Sequence, residues 1–595
     1  LGAWRREDGI ACWRVWAPGH ERVDVEIARP DGSGGATLLP LDREHDFFYG
    51  ETRAAGRILY KLLVDGAGPF PDPWSRSQPL GVHGPSEILP PSKPEPGSGW
   101  TGVPPADVVL YEVHVGTATP EGTFEALIDH LPHIREVGAT IIELMPVASF
   151  PGRRNWGYDG VSLFAPAVVY GGPEGLRRLV RASHSAGLGV ILDVVYNHFG
   201  PDGNYLGCYS RGYFTTRHAT PWGEALNYDG PESGPVREMI LSNVEMWISE
   251  YGLDGLRLDA THAILDDSEP HILREIGERA RSAAPERTVL VFAEDDRNEP
   301  RLIRSILEGG FGLDGVWADD FHHELRRAFA GDSDGYFQDF AGTASDIART
   351  IQRSWFFEGQ FARHYGRNRG APATDVDVFR FVQCIQNHDQ IGNRAFGDRL
   401  GAVVDPAAQR TMAALLLLSP GTPLLFMGQE WSASTPFQYF TDHAEPLGRA
   451  VTEGRRREHA HFASFAHRDV PDPQDVAAFE RSKLDWEEPR KLDHAAMLAW
   501  YRALLRLRRE HPCLRHLERP EMEASAPDPN TVRLALRKGS RRLTLLASLG
   551  DAFEWRREGA VLLSSEEDRF GGSGCLQLDG ARISGQGPAA VVMEQ

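Results

Sequence analysis

Leu253-Asp-Gly-Leu-Arg-Leu-Asp-Ala-Thr-His262 is the stretch on which the fold of this chain turns. Leu256 and Leu258 alternate with Arg257 and Asp259, a period of two that predicts a short strand. Arg257 and Asp259 then share one face, so a guanidinium lies beside a carboxylate, and such a carboxylate stays ionised at neutral pH. That suits a nucleophile better than a general acid. Ala-Thr-His carries the chain into a loop, with His262 close enough to reach the same pocket. Taken alone, the stretch is an ordinary Arg–Asp pair at a strand edge. Its neighbours change that.

On both sides, apolar strands alternate with helical patterns. Asp107-Val-Val-Leu-Tyr-Glu-Val-His-Val115, Ala139-Thr-Ile-Ile-Glu-Leu-Met145 and Gly189-Val-Ile-Leu-Asp-Val-Val195 precede it. Thr288-Val-Leu-Val-Phe-Ala293, Gly315-Val-Trp-Ala318, Phe379-Arg-Phe-Val-Gln-Cys-Ile385 and Pro423-Leu-Leu-Phe-Met427 follow. Amphipathic helices are expected over 123–137, 173–187, 236–251, 271–283 and 495–510. Eight strands interleaved with helices predict an α/β fold, a (β/α)₈ TIM barrel with long insertions over 107–515. A doubly wound open sheet is the alternative, weakened because no Gly-x-Gly-x-x-Gly follows a strand. Residues 1–90 read as an N-terminal β-sandwich, 91–106 as a linker rich in Pro, Gly and Ser, and 516–595 as a C-terminal β domain. Trp13 and Trp16 suit a sandwich core better than sugar stacking.

At 595 residues the chain exceeds one compact core, and its net charge of −21 argues against nucleic acid or an anionic membrane as partner. No apolar run has transmembrane length. The five cysteines are odd in number and far apart, with no Cys-x-x-Cys, so neither a disulfide framework nor a zinc site is expected and a reducing cytoplasm fits best.

In a TIM barrel the chemistry collects where strands end. Here those ends carry Asp193, Asn197 and His198, then Arg257 and Asp259, then Glu294, then Asn387, His388 and Asp389. Paired carboxylates beneath a sugar-sized cleft are what glycosidic cleavage needs. Asp259 suits the nucleophile. Glu294 has no cation immediately beside it in sequence and two acids after it, so desolvation and like charge would raise its pKa, as a general acid requires. Asp389 would hydrogen-bond sugar hydroxyls and stabilise positive charge, with His198 and His388 as further donors.

Asp193-Val-Val-Tyr-Asn-His198, Gly255-Leu-Arg-Leu-Asp259, Glu294 and Asn387-His-Asp389 resemble, in order and spacing, the four signature regions of the α-amylase family of glycoside hydrolases. The resemblance implies a retaining double displacement, with Asp259 as nucleophile, Glu294 as acid/base and Asp389 as stabiliser. It also implies that Tyr158 stacks on the sugar next to the scissile bond and that the N-terminal sandwich is carbohydrate-binding-like. Within that family the chain is similar to the trehalose-releasing hydrolases on Phe150-Pro-Gly-Arg-Arg-Asn-Trp-Gly-Tyr-Asp-Gly160, Asp319-Asp-Phe-His-His323 and Gln386-Asn-His-Asp-Gln-Ile-Gly-Asn-Arg394. His262 separates it from glycogen-debranching and branching relatives. The implied substrate is maltooligosyltrehalose, cut at the α-1,4 bond to its terminal trehalose. A debranching or branching enzyme on α-glucans is the alternative, and a silent glucan-binding protein a third reading that the acid trio opposes.

Many members of that family bind structural calcium through the counterpart of Asn197. No acidic cluster here completes a cage of six to eight oxygens, so neither a metal nor any other cofactor is expected, and Asn197 is assigned to loop backbone. Trp222 either walls the leaving-group side or packs its loop. Arg455 to Arg457 read as a solvated helix face, Glu112 and Glu143 as partners of nearby cations, and His322 and His323 as loop hydrogen-bonders or contacts to a distal sugar rather than metal ligands. Gln429 and Glu430 stand where either could touch substrate.

Overall fold

The computed structural model describes the chain except for residues 29–34, 54–55, 91–98, 461, 463–464, 466–469 and 551. Eight parallel strands close into a barrel: β1 Leu110–Val113, β2 Ile141–Leu144, β3 Gly189–Val194, β4 Gly255–Leu258, β5 Leu290–Ala293, β6 Gly315–Trp317, β7 Phe381–Gln383 and β8 Thr422–Phe426. All eight expected strands are present in the expected order. β8 pairs back on β1, Leu424 opposite Leu110, and that closure excludes the open sheet.

The strand period sorts the side chains. Leu110, Ile141, Ile191, Phe292, Trp317, Val382 and Leu424 form an apolar core inside the barrel. Leu256, Leu258, Val291 and Val316 belong instead to the larger core shared with the surrounding helices. Two residues further along the inward rows stand Glu112, Glu143, Asp193, Glu294 and Asp319, with Arg257 leading to Asp259 in the same way. Each row thus climbs from apolar floor to polar mouth. Gly255 is required where β4 meets β5, because a Cβ there would lie 1.9 Å from the Leu290 carbonyl oxygen.

The expected helices form at 172–185, 233–245, 272–283 and 492–510, within a few residues of their predicted bounds. The single helix expected over 123–137 is instead two, Phe124–Ile128 and Leu131–Val137. Pro132 is the cause: it lacks an N–H and its ring would clash with the carbonyl four residues back, so it is accepted only in a first turn.

At the N-terminus two antiparallel sheets face one another, with Trp13 meeting Tyr60 edge to face at 5.8 Å. Trp13 and Trp16 are buried, a core role. These sheets rest on the β3 side of the barrel, where Trp74 stacks on Phe164 at 5.1 Å and the Tyr209 hydroxyl donates to the Pro71 carbonyl at 2.7 Å. Of the expected linker, residues 91–98 lie outside the described residues. Five-stranded and three-stranded antiparallel sheets close the C-terminus. Among the described residues no helix is long and apolar enough to cross a membrane.

Candidate active site

A cavity of about 820 Å³ opens at the C-terminal ends of the barrel strands. Asp259, Glu294 and Asp389 all line it, as do Tyr158, His198, Trp222, Arg257, His262 and His388. The predicted catalytic trio and these six predicted substrate-binding residues therefore reach one cleft. Among the described residues, none of those lining it comes from 1–90.

Arg257 organises the centre. Its Nη1 donates to Asp259 Oδ1 at 2.7 Å and to both Asp193 oxygens at 2.9 and 3.0 Å, while the guanidinium lies 4.3 Å over the Trp317 ring. Nη2 stands 3.8 Å from Glu294 Oε2. The expectation that Glu294 has no cation beside it is therefore corrected: the guanidinium fork spans from β4 to the end of β5. Burial still dominates and holds Glu294 well above the usual carboxylate range. Arg257 pulls the other way, and the charges of Asp259, Asp389 and Asp319 add to the rise. The like charges are not Asp295 and Asp296 next in sequence. Asp295 is turned away, tied to Arg297 and Thr261.

Glu294 Oε2 also accepts the Ala260 backbone N–H at 2.5 Å. Ala260 adopts a left-handed conformation, φ 40°, which costs energy for a residue with a Cβ and turns its amide toward the acid. The Ala260 N–H donates to Oε2 and the guanidinium faces that same oxygen, so a proton on Glu294 belongs on Oε1.

Tyr158 and His388 stack at 5.3 Å. The Tyr158 hydroxyl lies 2.5 Å from Asp193 Oδ2 and 2.8 Å from His388 Nε2. Asp389 Oδ1 accepts from Asn393 Nδ2 at 2.7 Å.

Residues 70–208 match the family described as alpha amylase, catalytic domain. Over 494 residues the chain is 46% identical to the malto-oligosyltrehalose trehalohydrolase of Deinococcus radiodurans, covering 82% of this chain and 80% of that one. Over 575 residues it is 42% identical to the malto-oligosyltrehalose trehalohydrolase of Arthrobacter ramosus, covering 95% and 97%. The chain belongs to the malto-oligosyltrehalose trehalohydrolase family. A Salmonella typhimurium crystal structure described as an alpha amylase aligns over 100% of this chain and 99% of its own, with a TM-score of 0.90 at 35% identity.

Within this trehalohydrolase-family cleft, several placements differ from expectation. Asn197 does not serve loop backbone. Its Nδ2 donates to Asp259 Oδ2 at 2.8 Å and its Oδ1 faces His198 Nδ1 at 2.7 Å, because the turn after β3 brings it over β4. Arg455 is not solvated: in the helix Leu447–Glu458 it faces the cleft, donating to Asn393 Oδ1 at 3.1 Å and lying 4.4 Å over the Tyr439 ring. Arg456 and Arg457 are exposed, as expected. Gln429 and Glu430 are buried behind the barrel, Glu430 held by Tyr111 and His133. Glu112 does partner a nitrogen base, His388, whereas neither oxygen of Glu143 has a hydrogen-bond partner. His322 and His323 are buried in the helix Asp320–Phe329 rather than in a loop, with His323 reaching the cleft. Trp222, 46% exposed at the tip of a hairpin, stacks on His198 at 5.2 Å on the cleft wall. His262 Nδ1 stands 3.7 Å from Asp296. Asp319 was not singled out for the cleft, although its position two residues after inward-facing Trp317 was a usable signal. Burial and Asp389 push it up to about 7.

The calcium site of the wider α-amylase family does not fit these residues. Calcium takes six to eight oxygens, and the one side-chain oxygen of Asn197 is already engaged by a ring nitrogen. Among the described residues the one cluster with metal-ligand spacing is His218, Asp229 and Asp267. Arg217 stands 3.2 Å from Asp229 and 3.8 Å from Asp267 there, so both carboxylates already face a cation.

Proposed function

We propose that this protein is a retaining glycoside hydrolase that cuts the α-1,4 bond joining a maltooligosaccharide to a terminal trehalose. Asp259 attacks the anomeric carbon while Glu294 gives its Oε1 proton to the departing trehalose oxygen, leaving a glycosyl ester on Asp259. Water then adds at the same carbon and gives its proton to Glu294, which frees the shortened maltooligosaccharide and restores both acids. Asp389 accepts from sugar hydroxyls and opposes the positive charge that develops on the ring. Tyr158 supplies the stacking face, and Arg257, His198, His262, His388 and Trp222 hold the sugars on either side. Five cysteines, none paired, are compatible with a reducing cytoplasm.

The observation that carries this reading is the arrangement of Asp259 and Glu294 at the two ends of one guanidinium, in a chain that matches a trehalohydrolase over 95% of its length. Debranching or branching remains the second reading on fold alone. Product analysis on two substrates separates them. A maltooligosaccharide capped with trehalose should release free trehalose, with little action on an α-1,6-branched glucan. Linear chains released from the branched glucan, with the capped substrate untouched, would overturn the assignment.

A further inference from the structure

A line of hydrogen bonds runs beneath the cleft from β1 to β4, and its first member has no part in the chemistry above. Glu112 on β1 accepts the His388 backbone N–H on Oε2 at 2.8 Å, and its Oε1 lies 2.5 Å from His388 Nδ1. With Glu112 as a carboxylate both its oxygens accept, and Nδ1 then carries a proton. On the far side of the ring, Nε2 lies 2.8 Å from the Tyr158 hydroxyl, which in turn lies 2.5 Å from Asp193 Oδ2. A hydroxyl has one proton to give and two neighbours able to receive it. One more proton must therefore sit at one end of the line. Either His388 is protonated on Nε2 and Tyr158 donates to Asp193, or Asp193 is protonated and Tyr158 donates to His388.

The surrounding charges favour the first arrangement from both ends. Burial raises Asp193 to about 6 and the Asp259 charge adds to the rise, while Arg257, which donates to both its oxygens, pulls it down, so at neutral pH Asp193 is a carboxylate. Glu112 stabilises the imidazolium. Burial works against charge on His388, but Glu112 and Asp389 outweigh it and raise its pKa, with Arg257 opposing them. Two other titratable groups lie nearby: burial lowers His114, just after β1, to about 4 and raises Glu143 on β2 well above the usual carboxylate range.

We propose that Glu112 is a positioning residue for glycosidic cleavage, holding His388 as the imidazolium so that Tyr158 donates to Asp193 and Arg257 stays fixed between Asp193 and the Asp259–Glu294 pair. The role in cleavage rests on the function proposed above. The protonation of the ring does not, and it can be measured without any substrate.

The test is a ¹⁵N-histidine spectrum of the full chain at neutral pH, with the His388 signals assigned by their loss in His388→Asn. Both His388 nitrogens should carry protons in the unmodified enzyme. In Glu112→Gln the side chain has one acceptor oxygen for two donors, so the ring should become neutral. There kcat should fall by about tenfold or more while KM moves by less than about threefold, since Glu112 touches no substrate. Glu112→Asp keeps the carboxylate and should recover the doubly protonated ring, whereas a purely space-filling Glu112 would make Asp no better than Gln. A neutral His388 ring in the unmodified enzyme overturns the proposal, as does a ring that stays doubly protonated in Glu112→Gln. Should that variant fail to fold, the unmodified spectrum still decides. Products that include no free trehalose would sink the proposed function and leave the ring measurement standing.

Discussion

Asn197 donates to Asp259 Oδ2 at 2.8 Å, on the carboxylate oxygen opposite the one that Arg257 holds at 2.7 Å. With a donor on each oxygen the carboxylate cannot rotate, and it keeps a fixed angle toward the cleft. A hydrogen bond to a charged group contributes about 1.5–3 kcal/mol. Asn197→Ala should therefore lower kcat by roughly 10- to 100-fold with KM little changed. Steady-state kinetics on the trehalose-capped oligosaccharide measure this, and a kcat within about twofold of the parent would mean that Arg257 alone orients Asp259.

Glu294 must hold a proton to release trehalose, and burial raises its pKa well above that of a free carboxyl. A raised pKa keeps the acid protonated to higher pH than usual, so activity should persist above the ordinary carboxyl range and then fall as pH rises through the Glu294 transition. In Glu294→Gln the acid is gone at every pH. Turnover should drop by about 10²- to 10⁴-fold, and the alkaline fall should disappear from the residual rate. Oligosaccharide binding by calorimetry should survive. Residual activity that still falls at the same alkaline pH would assign that limb to another group.

Much of this was legible from local pattern. A strand exposes its period within four or five residues, and the inward rows make Arg257 to Asp259 and Phe292 to Glu294 readable as soon as the strands are placed. What stayed hidden depends on contacts between distant segments. Asn197 and Asp259 follow successive strands, β3 and β4, so a resemblance to a calcium ligand and a local turn role were both open to Asn197. Arg455 reaches Asn393 across 62 residues, and nothing in Gly454-Arg-Arg-Arg-Glu458 distinguishes the first arginine from the two that face solvent. Glu294 was read from its chain neighbours, whereas its real electrostatic partners come from other strand ends. The break at Pro132 was local and could have been read from the proline itself.

Arg455 donates to Asn393 Oδ1, and Asn393 Nδ2 donates to Asp389 Oδ1 at 2.7 Å, so the arginine steers Asp389 through one intermediate. Arg455→Ala should lower kcat/KM by about tenfold, the worth of one lost charged hydrogen bond passed through that amide. Arg456→Ala and Arg457→Ala should leave it unchanged, because both side chains are exposed. Equal losses in all three variants would indicate that the helix Leu447–Glu458 had shifted as a whole.

Glu143 offers a measurement of stability rather than rate. It is 1% exposed inside the barrel, and neither of its oxygens has a hydrogen-bond partner. Burial, then Glu112 and Asp193, raise its pKa well above the usual carboxylate range, against the pull of Arg257. At a pH below the unfolded carboxyl range both states hold the proton, and Glu143 contributes no pH dependence. As pH climbs past that range the unfolded chain releases its proton while the folded chain keeps it, so stability falls by about 1.4 kcal/mol per pH unit until the folded group also ionises. Glu143→Gln keeps the shape and cannot ionise. Its melting temperature should track the parent's at acidic pH and move progressively above it toward neutrality, as followed by thermal unfolding in a pH series. Parallel curves across that series would mean that Glu143 is already ionised in the folded barrel and that a cation or water satisfies it there.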